Sequence, residues 1–321
     1  ATRLTVSGLS ITEWKPIHGI VPPLNAQEWL EEFDKYRQIP QYQQINKGMS
    51  LEEFKVIYWW EWAHRFLGRI IGFAFLLPLV WFWASGRVES RLKPRLLVLL
   101  ALGGLQGFIG WWMVTSGLVD RVDVSQYRLA IHLTLACIIF AYGFWLARGL
   151  APHSTQGGIL ALRILAPLLV MAILLQIFLG GLVAGLDAGL AFNDWPSMDG
   201  TIIPDGLFLQ NPWWINFFEN PKTVQFVHRT SGYLLLLLAL IQWLATRNPE
   251  TDEAHRHRAA LLVGLVVLQA AIGVVTLVLQ VPISWALAHQ AGAVVVLGFA
   301  VAHWRALYGA YARVTELVIR S

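Results

Sequence analysis

A chain of 321 residues that is 56% hydrophobic, 14% charged and carries 16 tryptophans has the composition of a polytopic membrane protein, not of a soluble domain. The net charge of +4 gives no sign of nucleic-acid binding, because the basic residues gather in short connections between apolar segments. A single cysteine, Cys137, excludes an intramolecular disulfide.

Residues 1–56 are too polar to span a bilayer, with Pro, Asn, Gly and Trp among charges such as Glu31, Glu32 and Asp34. Within them AQEWLEEFDKYRQ, at about 26–38, reads as an amphipathic helix. It either lies on the outer surface over a first site or presents a solvated face. Crossing hydrocarbon takes roughly 20 apolar residues as a helix, since lipid satisfies no free backbone group. Seven segments meet this, at about 57–83, 96–117, 126–147, 160–184, 222–245, 259–279 and 283–304. A second polar stretch, 187–221, separates the fourth from the fifth.

The basic residues orient the bundle. Arg87, Arg91, Lys93 and Arg95 crowd one connection, and Arg148 and Arg163 flank the next on that side. Arg247, Arg256 and Arg258, then Arg305, Arg313 and Arg320, complete the same face. That face is cytoplasmic or matrix, and residues 1–56 lie outside. Trp59, Trp60, Trp62, Trp111, Trp112, Trp213 and Trp214 suit an aromatic belt at the outer interface.

The chain repeats itself. SGLSITEWKPIHG at 7–19 aligns with AGLAFNDWPSMDG at 188–200, and LQGFIGWW from Leu105 aligns with LQAAIGVV from Leu268. Such self-similarity predicts an all-α membrane protein of two pseudo-symmetric four-helix bundle halves, 1–150 and 151–321. In the second half a helix runs into the loop motif. The first half has no counterpart, so a first helix is expected to be missing before Ala1 or to have been lost from the repeat.

Four histidines fall into this register as two pairs. His64 opens HRFLGR and His228 opens HRTSGY, while His132 lies in LAIHLTLA and His289 in LAHQAGA. An imidazole in a membrane span usually marks function, and two pairs suit two bis-histidine haem sites. Zinc prefers three or four protein ligands, which a two-by-two layout with one thiol does not offer. The halves differ at one place. Glu61 stands three residues before His64, but the matching position before His228 is Gln225. Glu61 is therefore expected to share a helix face with His64 as a proton donor or acceptor, unless it simply pairs with Arg65 or Arg69. Arg65 and Arg229 either bind haem propionates or are ordinary interfacial side chains. Gln106 and Gln269 read as helix–helix glue. His18, His153, His255, His257 and His303 are unmatched in depth and receive no ligand role.

GLSITEWKP, EFDKYRQIPQYQ, EFKVIYWWEWAHRFLGR, GLDAGLAFNDWPSMDG and PKTVQFVHR together resemble haem A synthase, and most closely its proteobacterial and mitochondrial branch. The resemblance covers nearly the whole chain. It implies an eight-helix protein that oxidises the C8 methyl of haem O to a formyl group through successive hydroxylations, making haem A for terminal oxidases. It implies substrate haem at His64 and His132 with Glu61 as acid/base, and a permanent haem B on His228 and His289. It also implies a bacterial or mitochondrial inner membrane, sites on the periplasmic or intermembrane-space side, and supply by the enzyme that makes haem O. Some bacterial members carry a cysteine pair in an outer loop, which this chain lacks.

From the residues alone two other readings stay open: a di-haem electron carrier of the cytochrome b type, and a haem-delivering assembly factor. Glu61 against Gln225 disfavours the carrier, since a relay needs no acid/base. The electron donor and any homo-oligomer are not legible.

Overall fold

The computed structural model describes residues 5–14, 18–150 and 159–308. The expectations placed on His153, Arg313 and Arg320 lie outside these residues. The described residues form eleven α-helices, two short 3-10 turns and one isolated bridge between Met198 and Thr201. Seven helices are long and apolar enough to cross a membrane: α3 (Leu51–Ala84), α4 (Lys93–Thr115), α5 (Gln126–Leu150), α6 (Leu160–Gly185), α9 (Pro221–Ala245), α10 (Glu253–Val278) and α11 (Ile283–Ala306). The others are short or polar: α1 (Ala26–Arg37), α2 (Pro40–Gln44), α7 (Ala188–Ala191) and α8 (Asn216–Glu219).

The membrane reading has direct support in burial. Helix α4 contains no buried residue, although Leu97, Val98, Leu105 and Phe108 are large and exposed. Such a helix stands only in a solvent as apolar as its own side chains. Trp59, Trp60, Trp111, Trp213 and Trp214 are also exposed.

The seven spans match the expected segments, except that α3 and α10 each begin six residues early, α10 at Glu253 behind an Asp252 cap. Helix α3 starts at Leu51, ahead of the apolar run. Ser50 caps it: Ser50 Oγ accepts from Glu53 N at 3.3 Å, and Glu53 Oε2 accepts from Ser50 N at 2.8 Å. This capping box satisfies two backbone donors and lets the helix begin in polar sequence. At about 1.5 Å per residue, α3 is much longer than the hydrocarbon core is thick, so its first turns serve the outer loop.

By contacts the chain divides into two compact units, Ala1–Leu135 with Ala184–Leu186, and Ala136–Val183 with Asp187–Ser321. In the first, α1 packs on α3 through aromatic side chains. Phe33 stacks on Phe54 with ring centroids 4.9 Å apart, and Trp29 meets Tyr58 edge-on at 5.0 Å. Leu9, Ile11, Tyr36 and Val124 complete this core. Each buried side chain of this size contributes about 1.5–3 kcal/mol, so the loop is held by packing and not by lipid. The Tyr36 hydroxyl donates to Gln41 Oε1 at 3.0 Å, and burial pushes its pKa up. The amphipathic helix expected at 26–38 thus buries Phe33 and Tyr36 in protein.

In the second unit asparagines tie the polar stretch 187–221 to α9. Asn220 caps that helix by accepting from Lys222 N at 3.0 Å, and its amide donates to Gly206 O at 2.9 Å. The Thr223 hydroxyl donates to Leu207 O. Asp194 organises a turn, accepting from Gly200 N and Asp199 N at 3.0 Å each and from Ser197 Oγ at 2.9 Å. These donors, the Gly200 amide first, hold its carboxyl down at about 2.

Candidate functional site

The histidines stand where the repeat places them. His132, His228 and His289 sit about two turns inside the starts of α5, α9 and α11. His64 sits further into α3 because that helix begins early. His64 and His132 fall in the first compact unit, and His228 and His289 in the second. His64 is exposed and the other three are half-buried.

Three of the four rings are seated alike. Gln106 Nε2 lies 3.1 Å from His132 O and 3.2 Å from His132 Nδ1. Gln176 Nε2 is 2.9 Å and 3.2 Å from the same atoms of His228, and Gln269 Nε2 is 2.7 Å and 3.1 Å from those of His289. One turn beyond each glutamine stands a glycine against the same ring. A Cβ on Gly110 would lie 2.9 Å from His132 Cε1, one on Gly180 3.1 Å from His228 Cε1, and one on Gly273 2.8 Å from His289 Cε1. Glycine here permits a close approach that no other residue allows without displacement.

Sequence reasoning misses Gln176 and Gly273; it reads Gln106 and Gln269 as helix–helix glue, and the small-residue runs 102–110 and 179–189, which hold Gly110 and Gly180, as close helix packing. The signal is present as a hexapeptide occurring three times: LQGFIG at 105–110, LQIFLG at 175–180 and LQAAIG at 268–273. The half-chain repeat pairs only the first and third.

Beside the first pair, Glu61 is only 2% exposed yet fully partnered. Its Oε1 accepts from Arg65 Nη2 at 2.7 Å and Nε at 3.1 Å; its Oε2 accepts from Ser10 Oγ at 2.8 Å and Ile11 N at 2.9 Å. Arg65 also donates from Nη2 to Ile11 O at 2.9 Å and from Nη1 to Glu13 O at 3.1 Å. The pairing with Arg65, which the sequence leaves open, is therefore formed, and it fastens the 7–14 segment over α3.

The second unit repeats this latch without the charge. Arg229 Nη2 donates to Phe192 O at 3.1 Å and Nη1 to Ser197 O at 2.9 Å. In the alignment Phe192 occupies the position of Ile11. Gln225, 2% exposed, donates from Nε2 to the same Phe192 carbonyl at 2.8 Å. Ala191 replaces Ser10, so the carboxylate and its hydroxyl partner are both present in one half and both absent from the other.

Beside the first latch lies a cavity of about 340 Å³ whose walls include Glu13, Lys35, Tyr58, Arg65 and Arg69. Lys35 is partly desolvated there. Its ion pairs at 2.8 Å with Glu13 and Glu32 nevertheless hold its pKa above the ordinary lysine value.

Paired imidazoles, three of them seated closely against a glycine, supply the donor set that a bis-histidine iron macrocycle requires. The first pair has a buried carboxylate one turn away on the helix of His64, where the second has an amide.

Residues 1–301 match the model of a family described as cytochrome oxidase assembly protein. Three alphaproteobacterial relatives carry the name "Heme A synthase". That of Chelativorans sp. is 65% identical, covering 97% of this chain and 86% of its own. Those of Sinorhizobium medicae and Rhizobium meliloti are 61% and 60% identical, each covering 100% of this chain and 88% of its own. The chain belongs to the cytochrome oxidase assembly protein family.

Proposed function

We propose that the chain is a membrane haem A synthase, oxidising the C8 methyl of haem O to the formyl group of haem A for oxidase assembly. The shared name of its close, full-length relatives supports the reaction. The division of labour rests on one observation: Ser10 and Glu61 in one half correspond to Ala191 and Gln225 in the other.

On this reading His64 and His132 would hold the substrate within residues 1–150, and His228 and His289 would hold haem B within residues 151–321. The imidazole donors, three of them seated against glycines, fit both groups. Haem B, when bound, supplies a one-electron redox centre. Arg65 and Arg229 each keep part of an Nη1 amine for a propionate, after fastening the loop carbonyls.

Glu61 would act as the acid/base beside the substrate, able to hold a proton at Oε2 or give it back. Protonation at Oε2 turns the Ser10 hydroxyl from donor to acceptor, so the neutral acid keeps a partner. Gln225 has no such second state. The chain lies in the bacterial inner membrane with both sites toward the periplasm, and receives haem O from the enzyme that makes it.

The test is production of the chain in a host that makes haem O but no haem A. Chromatography with mass detection of extracted membranes should find haem A only when the chain is present. Unchanged haem O would refute the reaction.

A further inference from the structure

Three aromatic side chains form a strip along one rim of the first site. The Trp111 ring centroid lies 6.3 Å from that of Trp14 and 5.7 Å from that of Phe108, and all three residues are exposed. Both ends of the Trp14–Trp111 contact belong to the site. Trp14 follows Glu13, whose carbonyl accepts from Arg65, the neighbour of His64. Trp111 follows Gly110, which stands against the His132 ring. The contact therefore bridges the loop on the His64 side and the helix on the His132 side, and the strip is continuous with the site.

The second unit differs at each aligned position. Ala271 replaces Phe108, and Val274 replaces Trp111. Trp195, the counterpart of Trp14, instead donates from Nε1 to the Tyr233 hydroxyl at 3.1 Å. An interfacial aromatic belt does not explain this difference. The helices compared, α4 and α10, are the second and sixth of the seven spans, so they run the same way and meet the same membrane boundary.

The two haems of the proposed reaction differ in one large apolar feature: haem O carries a long isoprenoid chain where haem B carries a vinyl group. Both sites offer paired histidines and a ring-facing glycine, so the chain has to be recognised away from the iron ligands. Exposed aromatic rings at the rim give it broad apolar contact, and alanine and valine give much less. We propose that Trp14, Phe108 and Trp111 form the subsite for the isoprenoid chain of haem O and set the preference of the first half for haem O over haem B. The inference deepens the proposed function and rests on it.

Phe108→Ala combined with Trp111→Val copies the second half, whose own helix shows that this pair of residues suits the fold. Purified protein in lipid nanodiscs is titrated with haem O and, separately, with haem B, following the low-spin haem absorbance gained above that of resident haem. Wild type should bind haem O more tightly than haem B. The double variant should lose about 10-fold or more in haem O affinity and keep its haem B affinity within about twofold. Equal affinities for the two haems in wild type would overturn the proposal. Unchanged haem O affinity in the variant would also overturn it, leaving the rings as membrane-boundary residues, and so would equal losses for both haems, which mean general damage to the site. Should the double variant fail to fold, Trp111→Val alone decides on the same ratio. His64→Ala tests the underlying reading separately: haem O bound there as in wild type would refute the first half as the substrate site, whatever the aromatic variants show.

Discussion

Glu61 and Arg65, one turn apart on α3, meet with Nη2 2.7 Å and Nε 3.1 Å from a single carboxylate oxygen. The other oxygen is thereby left to Ser10 and Ile11, and a chemical group is tied to the loop that covers it. In the second half Arg229 and Gln225 share the carbonyl of Phe192 with no acid at the matching position.

That second half is a built-in control for Glu61→Gln, because it shows that glutamine beside this arginine folds. The variant should retain bound haem and lose about 10²- to 10⁴-fold of its haem A formation, the usual worth of a positioned acid/base. Haem A formed per mole of purified protein measures this. A rate above one-tenth of wild type would remove Glu61 from the chemistry.

Ser10→Ala copies the second half at the hydroxyl alone. It removes one hydrogen bond to a charged group, a loss of about 1.5–3 kcal/mol for the loop–helix contact. Protease sensitivity of the segment around residues 7–14 should rise, and conversion should fall by less than in Glu61→Gln. Equal falls in both variants would mean that the hydroxyl and the carboxylate act as one unit.

Alanine at the ring-facing glycines should separate clearance from helix propensity. Gly273→Ala places Cβ 2.8 Å from His289 Cε1, too close without a shift, while Gly180→Ala meets His228 at a more tolerable 3.1 Å. Gly264, also on α10, has open space around it. Gly273→Ala should therefore deplete haem B more than Gly180→Ala. Gly264→Ala should keep haem B, and its thermal stability should rise by up to about 1 kcal/mol. Absorbance of haem B per protein and melting in detergent report both effects.

The Asp194 turn sets a pH limit on the outer loop. Its folded pKa, about 2, lies below the ordinary aspartate value. Its contribution is therefore complete above about pH 4 and lost as pH falls through about 2. Amide hydrogen exchange across 187–221 should stay slow down to about pH 4 and quicken below it. Asp194→Asn should flatten that dependence, and an unchanged profile would contradict the turn's role.

Much of the fold is legible in the amino-acid order. Apolar runs place seven spans within a few residues, because lipid demands length and composition that few other environments do. The early start of α3 is hidden in the polar LEEFKV, although Ser50 and Glu53 carry a capping signature. The histidine pairs follow from the repeat. The Glu61–Arg65 contact does not, since residues four apart on a helix can pair or diverge, and the Ser10 and Ile11 donors from the distant loop decide it. Gln176 escapes notice because its hexapeptide belongs to a periodicity shorter than the half-chain repeat.

On the proposed reading, one half of the chain binds substrate and the other a permanent cofactor. Mass-resolved chromatography of haems released from purified protein, made in cells supplying haem O, tests this most directly when wild type is set beside His228→Ala and His64→Ala. Wild type should release haem B together with haem O, haem A or a hydroxylated form between them; His228→Ala should lose haem B, and His64→Ala should lose the others. Haem B alone in wild type, or loss of haem B from His64→Ala with retention in His228→Ala, would contradict the account.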